Sequence, residues 1–185
     1  YEDKFLPEGQ LRDLPSQLYR AQYFIVTKCS DDLTPIERRL LKKDFLKYPY
    51  QNLYMTGIES GAPVPLFPAD APASVEYGAD VVAMAGVGNP NPFLAGLRKH
   101  YNVIEELVYD DHHVYRRNDL QTMLDAAGEK GVIVTTEKDA VKLVNPDKIP
   151  AQLRAKLYYI PISITFIGSS PADFLLNLEK DVRTN

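Results

Sequence analysis

The chain has 185 residues, 45% apolar and 25% charged, with a net charge of −4 and a pI near 5.4. That is the composition of a globular protein, and it excludes the broadly basic surface of a nucleic-acid binder. A single cysteine, Cys29, excludes an internal disulfide and points to a reducing, intracellular home.

No apolar run is long enough to span a bilayer, and no signal-peptide pattern is present. The first apolar strand comes only at Tyr23, so the chain reads as the middle of a longer protein. "YFIVTK" (23–28) is predicted to be a buried strand. "TPIERRLLKKDFLKY" (34–48) is predicted to be a helix, with Thr34 and Glu37 as a capping box and Pro35 at its first position. Ile36, Leu40 and Leu41 share a face that should pack. "NLYMTGIES" reads as a strand, and the run through Pro63, Pro65, Pro68 and Pro72 as an exposed ribbon and linker.

After the prolines, strands and helices alternate. Strands are predicted at 80–86, 102–109, 131–136 and 156–164, with Pro161 at an edge or strand end. Helices are predicted at 91–100 (Asn91 as cap), 118–128 (Asn118 as cap, Gly128 as stop), 137–144 and 170–183 (a Ser cap). This alternation predicts an α/β fold with a mainly parallel sheet and flanking helices.

Ligands bind outside the carboxyl ends of such strands, and three loaded stretches fall there. "GVGNP" (86–90) offers Gly86, Gly88 and Asn89 beside a helix start, though it reads first as a tight β–α turn. "DDHH" (110–113) places Asp110, Asp111, His112 and His113 together, fit for proton handling or metal ligation. "TTEKDAVK" (135–142) puts Thr136, Glu137, Lys138 and Asp139 at a helix start. Thr136 and Asp139 read as a cap, and Lys138 is a misplaced cation with another duty. His100 reads as a helix C-terminal cation, and Cys29 as a packing residue. No G-x-x-x-x-G-K-[ST], C-x-x-C, H-E-x-x-H or G-x-S-x-G occurs in the sequence.

"FLPEGQLRD" (5–13), "FIVTK" (24–28), "VVAMAGVGNPNPF" (81–93), "VYDDHHVY" (108–115) and "VTTEKDAVKL" (134–143) occur in an order and spacing that resembles the tetraacyldisaccharide 4'-kinase family. The resemblance implies a two-lobed enzyme of lipid A biosynthesis. Its first lobe would be a P-loop kinase domain absent from this sequence, and its second the Rossmann-like lobe read here. Residues 1–50 would be the tail of the nucleotide lobe, 51–79 the ribbon and 80–185 the C-terminal lobe.

The implied reaction moves the ATP γ-phosphoryl group to the 4'-hydroxyl of a lipid disaccharide. ATP and Mg²⁺ would be bound mainly by the missing lobe. Asp111 and His112 match the family's D-H pair, whose histidine works with an aspartate of the P-loop lobe. Glu137, Lys138, Asp139 and Thr136 would line the same cleft with Gly86, Gly88 and Asn89, with Asp110 and His113 in lesser places. The full-length protein would lie on the cytoplasmic face of the bacterial inner membrane, touching it peripherally, while this chain alone would be soluble and inactive. "PEGQLRD" departs from the usual P-A-G-P-L-R-E, and Lys28 and Asp31 are read as structural.

Two other readings stand beside this one. A strand ending in D-H-H also marks a manganese phosphoesterase family, but that site needs a D-x-D after an earlier strand, which here ends "AGVGN". The chain could also be a non-catalytic module that packs on a partner through the 35–47 helix and the strand "YFIVTK".

Overall fold

The computed structural model describes residues 15–30 and 32–184, so "FLPEGQLRD" and Asp31 lie outside the described residues. In chain order the elements are β1 (Tyr23–Val26), α1 (Pro35–Phe45), β2 (Asn52–Ser60), β3 (Val64–Pro65), β4 (Asp80–Ala85), α2 (Asn91–Arg98), β5 (Asn102–Val108), α3 (Arg117–Ala127), β6 (Val132–Thr136), α4 (Glu137–Ala140), α5 (Ala151–Arg154), β7 (Leu157–Ile160), β8 (Ile162–Phe166) and α6 (Pro171–Thr184). The chain divides into two compact units, Tyr1–Glu59 with Ile164–Asn185, and Ser60–Ser163. The closing segment thus groups with the first part of the chain rather than with the strands and helices that precede it.

In the first unit the strand order is β1-β2-β8, and β1 runs parallel to β2 with Val26 opposite Met55. The α1 crossover starts where the sequence predicts. Glu37 N–H donates to Thr34 Oγ1 (3.3 Å), and Thr34 N–H donates back to the Glu37 carboxylate (2.8 Å). Of the predicted packing face only Leu41 is partly buried, while Ile36 and Leu40 stay 72% and 54% exposed. The helix is anchored instead by Phe45, whose ring lies 5.6 Å from that of Phe24. The Tyr54 ring meets those of Phe166 and Phe174 edge-to-face at 6.2 and 5.0 Å and ties β2 to α6. Ser170 caps α6, accepting from Asp173 N–H at 3.1 Å.

The second unit holds a five-stranded sheet in the order β3-β7-β6-β4-β5. β7, β6, β4 and β5 pair in parallel, while β3 lies antiparallel on the edge, so the sheet is mixed. β4 lies inside the sheet between β6 and β5 and is buried on both faces, as its unbroken apolar run requires. Val82 and Met84 point to a layer containing Leu120 and Met123 of α3. Val81 and Ala83 point to Leu94 and Leu97 of α2 on the other side.

Three expectations change. The segment 51–79 is not simply an exposed ribbon. β2 buries Tyr54, Met55 and Thr56, and Phe67 and Val75 pack on opposite faces of the second unit's core. Proline cannot donate to a ladder but its carbonyl accepts, and Pro72 takes the Tyr158 hydroxyl at 3.0 Å. The predicted 156–164 strand is two strands in two sheets. They break at Pro161, whose carbonyl accepts Gly61 N–H (2.9 Å). The helix starts also move. Asn91 does not cap α2, because Asn89 Oδ1 accepts the Asn91 N–H (3.2 Å). In α3, Asp119 accepts the Arg116 N–H (2.7 Å), displacing Asn118 from the cap.

The two-faced core makes a stability prediction. Leu157→Ala, at a fully buried β7 position, should lose about 2–5 kcal/mol. Ile104→Ala, on the edge strand β5 and 46% exposed, should lose no more than about 1 kcal/mol. Urea unfolding midpoints of the two variants check this.

Candidate active-site rim

β6, β4 and β5 are adjacent and parallel, so the loops after them open on one edge of the second unit's sheet. All three predicted motifs lie on that edge.

Asp139 is the centre of the buried part. Its side chain has 0% exposure. It accepts Gly86 N–H (2.8 Å), the Thr136 hydroxyl (2.8 Å) and Lys142 Nζ (2.8 Å). Its own N–H returns to Thr136 Oγ1 (3.1 Å), which closes the predicted cap. Burial pushes the Asp139 carboxyl up, but the bonds from Lys142, Gly86 and Thr136 outweigh it and hold the carboxyl below its ordinary range.

Gly86 N–H is therefore committed to a protein carboxylate. A Cβ at position 86 would lie 3.0 Å from the Tyr115 hydroxyl and 3.1 Å from Asp139 Oδ1, which explains the glycine. Tyr115, from the loop after β5, borders the same glycine. Its hydroxyl is buried without a hydrogen-bond partner among the described residues, and Lys142 Nζ sits 5.6 Å from its ring centre. Burial, then the Asp139 charge, pushes the Tyr115 phenol well above its ordinary value.

Asp111 is the centre of the exposed part. Lys138 Nζ donates to Asp111 Oδ1 (2.8 Å), which gives the misplaced helix-start cation its duty. That bond, opposed by desolvation and aided by His112, holds the Asp111 carboxyl low. His112 sits in the left-handed region (φ 64°), strained for a non-glycine residue. Its ring is 79% exposed, with Nε2 3.6 Å from Asp111 Oδ2. Gly88 lies against the same carboxylate: a Cβ there would sit 3.6 Å from Asp111 Oδ2.

The other predicted residues have local partners. His113 stacks on Tyr109 (4.5 Å) and bonds Asp119 (3.1 Å), away from His112. The Asp110 carbonyl accepts His113 N–H (3.1 Å), shaping the turn. Glu137 accepts Ile162 N–H (2.9 Å), so it holds the strand switch after β7. Asn89 holds the start of α2.

The sequence reading missed Tyr115, Lys142 and Asp119. Lys142 was signalled by its spacing, three residues after Asp139 on a helix start. Tyr115 carried no local signal. No group of three or more His, Cys, Asp or Glu side chains able to hold a metal occurs among the described residues.

The Asp139 network predicts acid sensitivity of fixed sign. A carboxylate with a depressed folded pKa contributes stability that is present above its unfolded value and lost as pH falls through the folded one. Asp139→Asn should lose about 3–5 kcal/mol at neutral pH and show a shallower loss of stability below about pH 4 than the parent. Denaturant titrations across that range measure both.

A family model for tetraacyldisaccharide-1-P 4'-kinase (LpxK) matches residues 1–182. The tetraacyldisaccharide 4'-kinase of Bacteroides thetaiotaomicron is 32% identical over 198 residues, covering 100% of this chain and 52% of its own length. That of Phocaeicola vulgatus is 32% identical over 191 residues with the same coverage. LpxK of Aquifex aeolicus, solved in complex with ATP, matches with a TM-score of 0.60 and 17% identity over 96% of this chain and 48% of its own, a likeness of fold. The chain spans about half the length of the curated relatives it matches. On the family match along nearly its whole length, the chain belongs to the tetraacyldisaccharide-1-P 4'-kinase family.

Proposed function

We propose that this chain supplies the D-H half of a split catalytic pair in a tetraacyldisaccharide 4'-kinase of lipid A biosynthesis. The whole enzyme would transfer the γ-phosphoryl group of ATP to the 4'-hydroxyl of tetraacyldisaccharide 1-phosphate at the cytoplasmic face of the inner membrane. The observation that carries this reading is the exposed His112 beside a clamped Asp111 on the carboxyl edge of the sheet.

The acceptor oxygen bonds the γ-phosphorus, the bond to the ADP oxygen breaks, and the hydroxyl proton must leave. An aspartate from a P-loop lobe would take that proton, and His112 would orient and tune that carboxylate. Lys138 fixes Asp111, and Asp111 in turn keeps His112 in reach through its backbone N–H (3.0 Å) and ring. Asp139 and Thr136 hold the floor of the cleft, and Gly86, Gly88 and Asn89 form its turn. ATP and Mg²⁺ would be held mainly by a P-loop lobe carrying the G-x-x-x-x-G-K-[ST] motif that this sequence lacks.

Exposed Ile25, Ile36 and Leu40, at 49%, 72% and 54%, support a further role for the first unit as a surface that packs on the rest of such an enzyme.

In the full-length kinase, His112→Ala should lower kcat by about 10²–10⁴-fold with KM for ATP unchanged. Lys138→Ala should change stability by less than about 1 kcal/mol, because the ion pair is exposed, while still lowering kcat. Steady-state phosphoryl-transfer assays and thermal melts separate the two effects. The 185-residue chain alone should transfer no phosphoryl group from ATP, and robust ATP-dependent phosphorylation by it would overturn the split-pair reading.

A further inference from the structure

Within the first unit, a cleft of about 300 Å³ lies between α1, β2 and the turn after β8. Three cations, Arg38, Arg39 and Lys42, line it. None of them has a carboxylate partner among the described residues. Arg38 and Lys42 are one helical turn apart, where like charges repel. Leu53 and Met55, alternate residues of β2, give the cleft an apolar floor.

Two further features suit a bound anion. Ser169 lines the cleft, and its Oγ is buried with no hydrogen-bond partner among the described residues. A buried hydroxyl without a partner is destabilising, and an anion in the cleft would accept from it. Gly168 beside it has φ +74°, which favours glycine, and a Cβ there would lie 2.6 Å from the Arg38 guanidinium and push it aside.

We infer that this cleft binds a phosphate group, its oxygens taken by Arg38, Arg39, Lys42 and Ser169 and its apolar attachment resting on Leu53 and Met55. The guanidinium forks suit a tetrahedral dianion, and the volume fits a small phosphoester at the lower end of ligand pockets. The inference uses residues of the first unit only and none of the Asp111/His112 rim, so its binding test can fail without touching the split-pair reading.

The test uses the 185-residue chain with pyrophosphate as probe, followed by isothermal titration. Saturable one-to-one binding is expected. Arg38→Gln with Lys42→Gln should weaken it about tenfold or more, consistent with loss of two charge-assisted contacts. Ser169→Ala should weaken it severalfold. Lys43→Gln with Lys47→Gln removes the same charge from the same stretch outside the cleft and should leave affinity unchanged, with melting temperatures verifying that each variant folds. Equal weakening by both pairs, or no saturable binding, overturns the inference.

Vesicles of phosphatidylcholine with and without phosphatidic acid separate the two sources of phosphate. Sedimentation only with phosphatidic acid, competed by pyrophosphate and lost in the Arg38/Lys42 variant, assigns a lipid phosphate. Pyrophosphate binding without sedimentation assigns a free phosphoester. Sedimentation that the cleft variant does not change overturns the site.

Discussion

A carboxylate shut off from water sets the arrangement of the second unit's rim. Burying a charge is tolerable only when hydrogen bonds and a counter-charge replace its hydration. Asp139 meets that condition with donors from three places: the amide after β4, the hydroxyl that ends β6, and the Lys142 ammonium just past the end of α4. Satisfying the charge therefore fixes the β4–α2 loop relative to the start of α4. It also favours Gly86, since a Cβ there would crowd Tyr115 and Asp139. The short α4 is held by this bond set more than by helix propensity, which four residues cannot supply.

The next residue back does the opposite. Lys138 points outward to Asp111, joining α4 to the loop after β5. As an exposed pair it adds little to stability, so its consequence is positional. It holds one carboxylate oxygen and leaves the other facing His112, whose left-handed backbone keeps the ring in the open. Strain of that kind at a rim is compatible with a functional site, and here it coincides with the residues that carry the family likeness. His113, next in sequence, is spent on stacking and on Asp119, so of the two imidazoles only that of His112 stands exposed at the rim.

Much of this was readable from residue order. The alternation of apolar strands and capped helices gives the second unit's layers, and the strand ends locate the rim because parallel strands place their carboxyl ends together. Thr136 with Asp139, and Thr34 with Glu37, are caps whose spacing alone predicts their bonds. What was not readable depends on tertiary neighbours. Pro161 looks like a strand end, but nothing local says that the chain then joins a different sheet. Glu137 looks like part of a cleft, and its carboxylate instead takes a backbone amide of that switch. Ile36 and Leu40 have helical spacing, yet periodicity cannot say whether a partner surface is present. Tyr115 enters the site only through the fold.

The account rests on Asp139 holding the β4–α2 loop, and amide hydrogen exchange at Gly86 in the 185-residue chain tests that most directly. It predicts that the Gly86 amide exchanges as slowly as those of the buried β4 strand. In Asp139→Asn its protection should fall while Val82 and Met84 stay protected. Fast exchange at Gly86 in the unaltered chain, at the rate of an exposed loop, would contradict it.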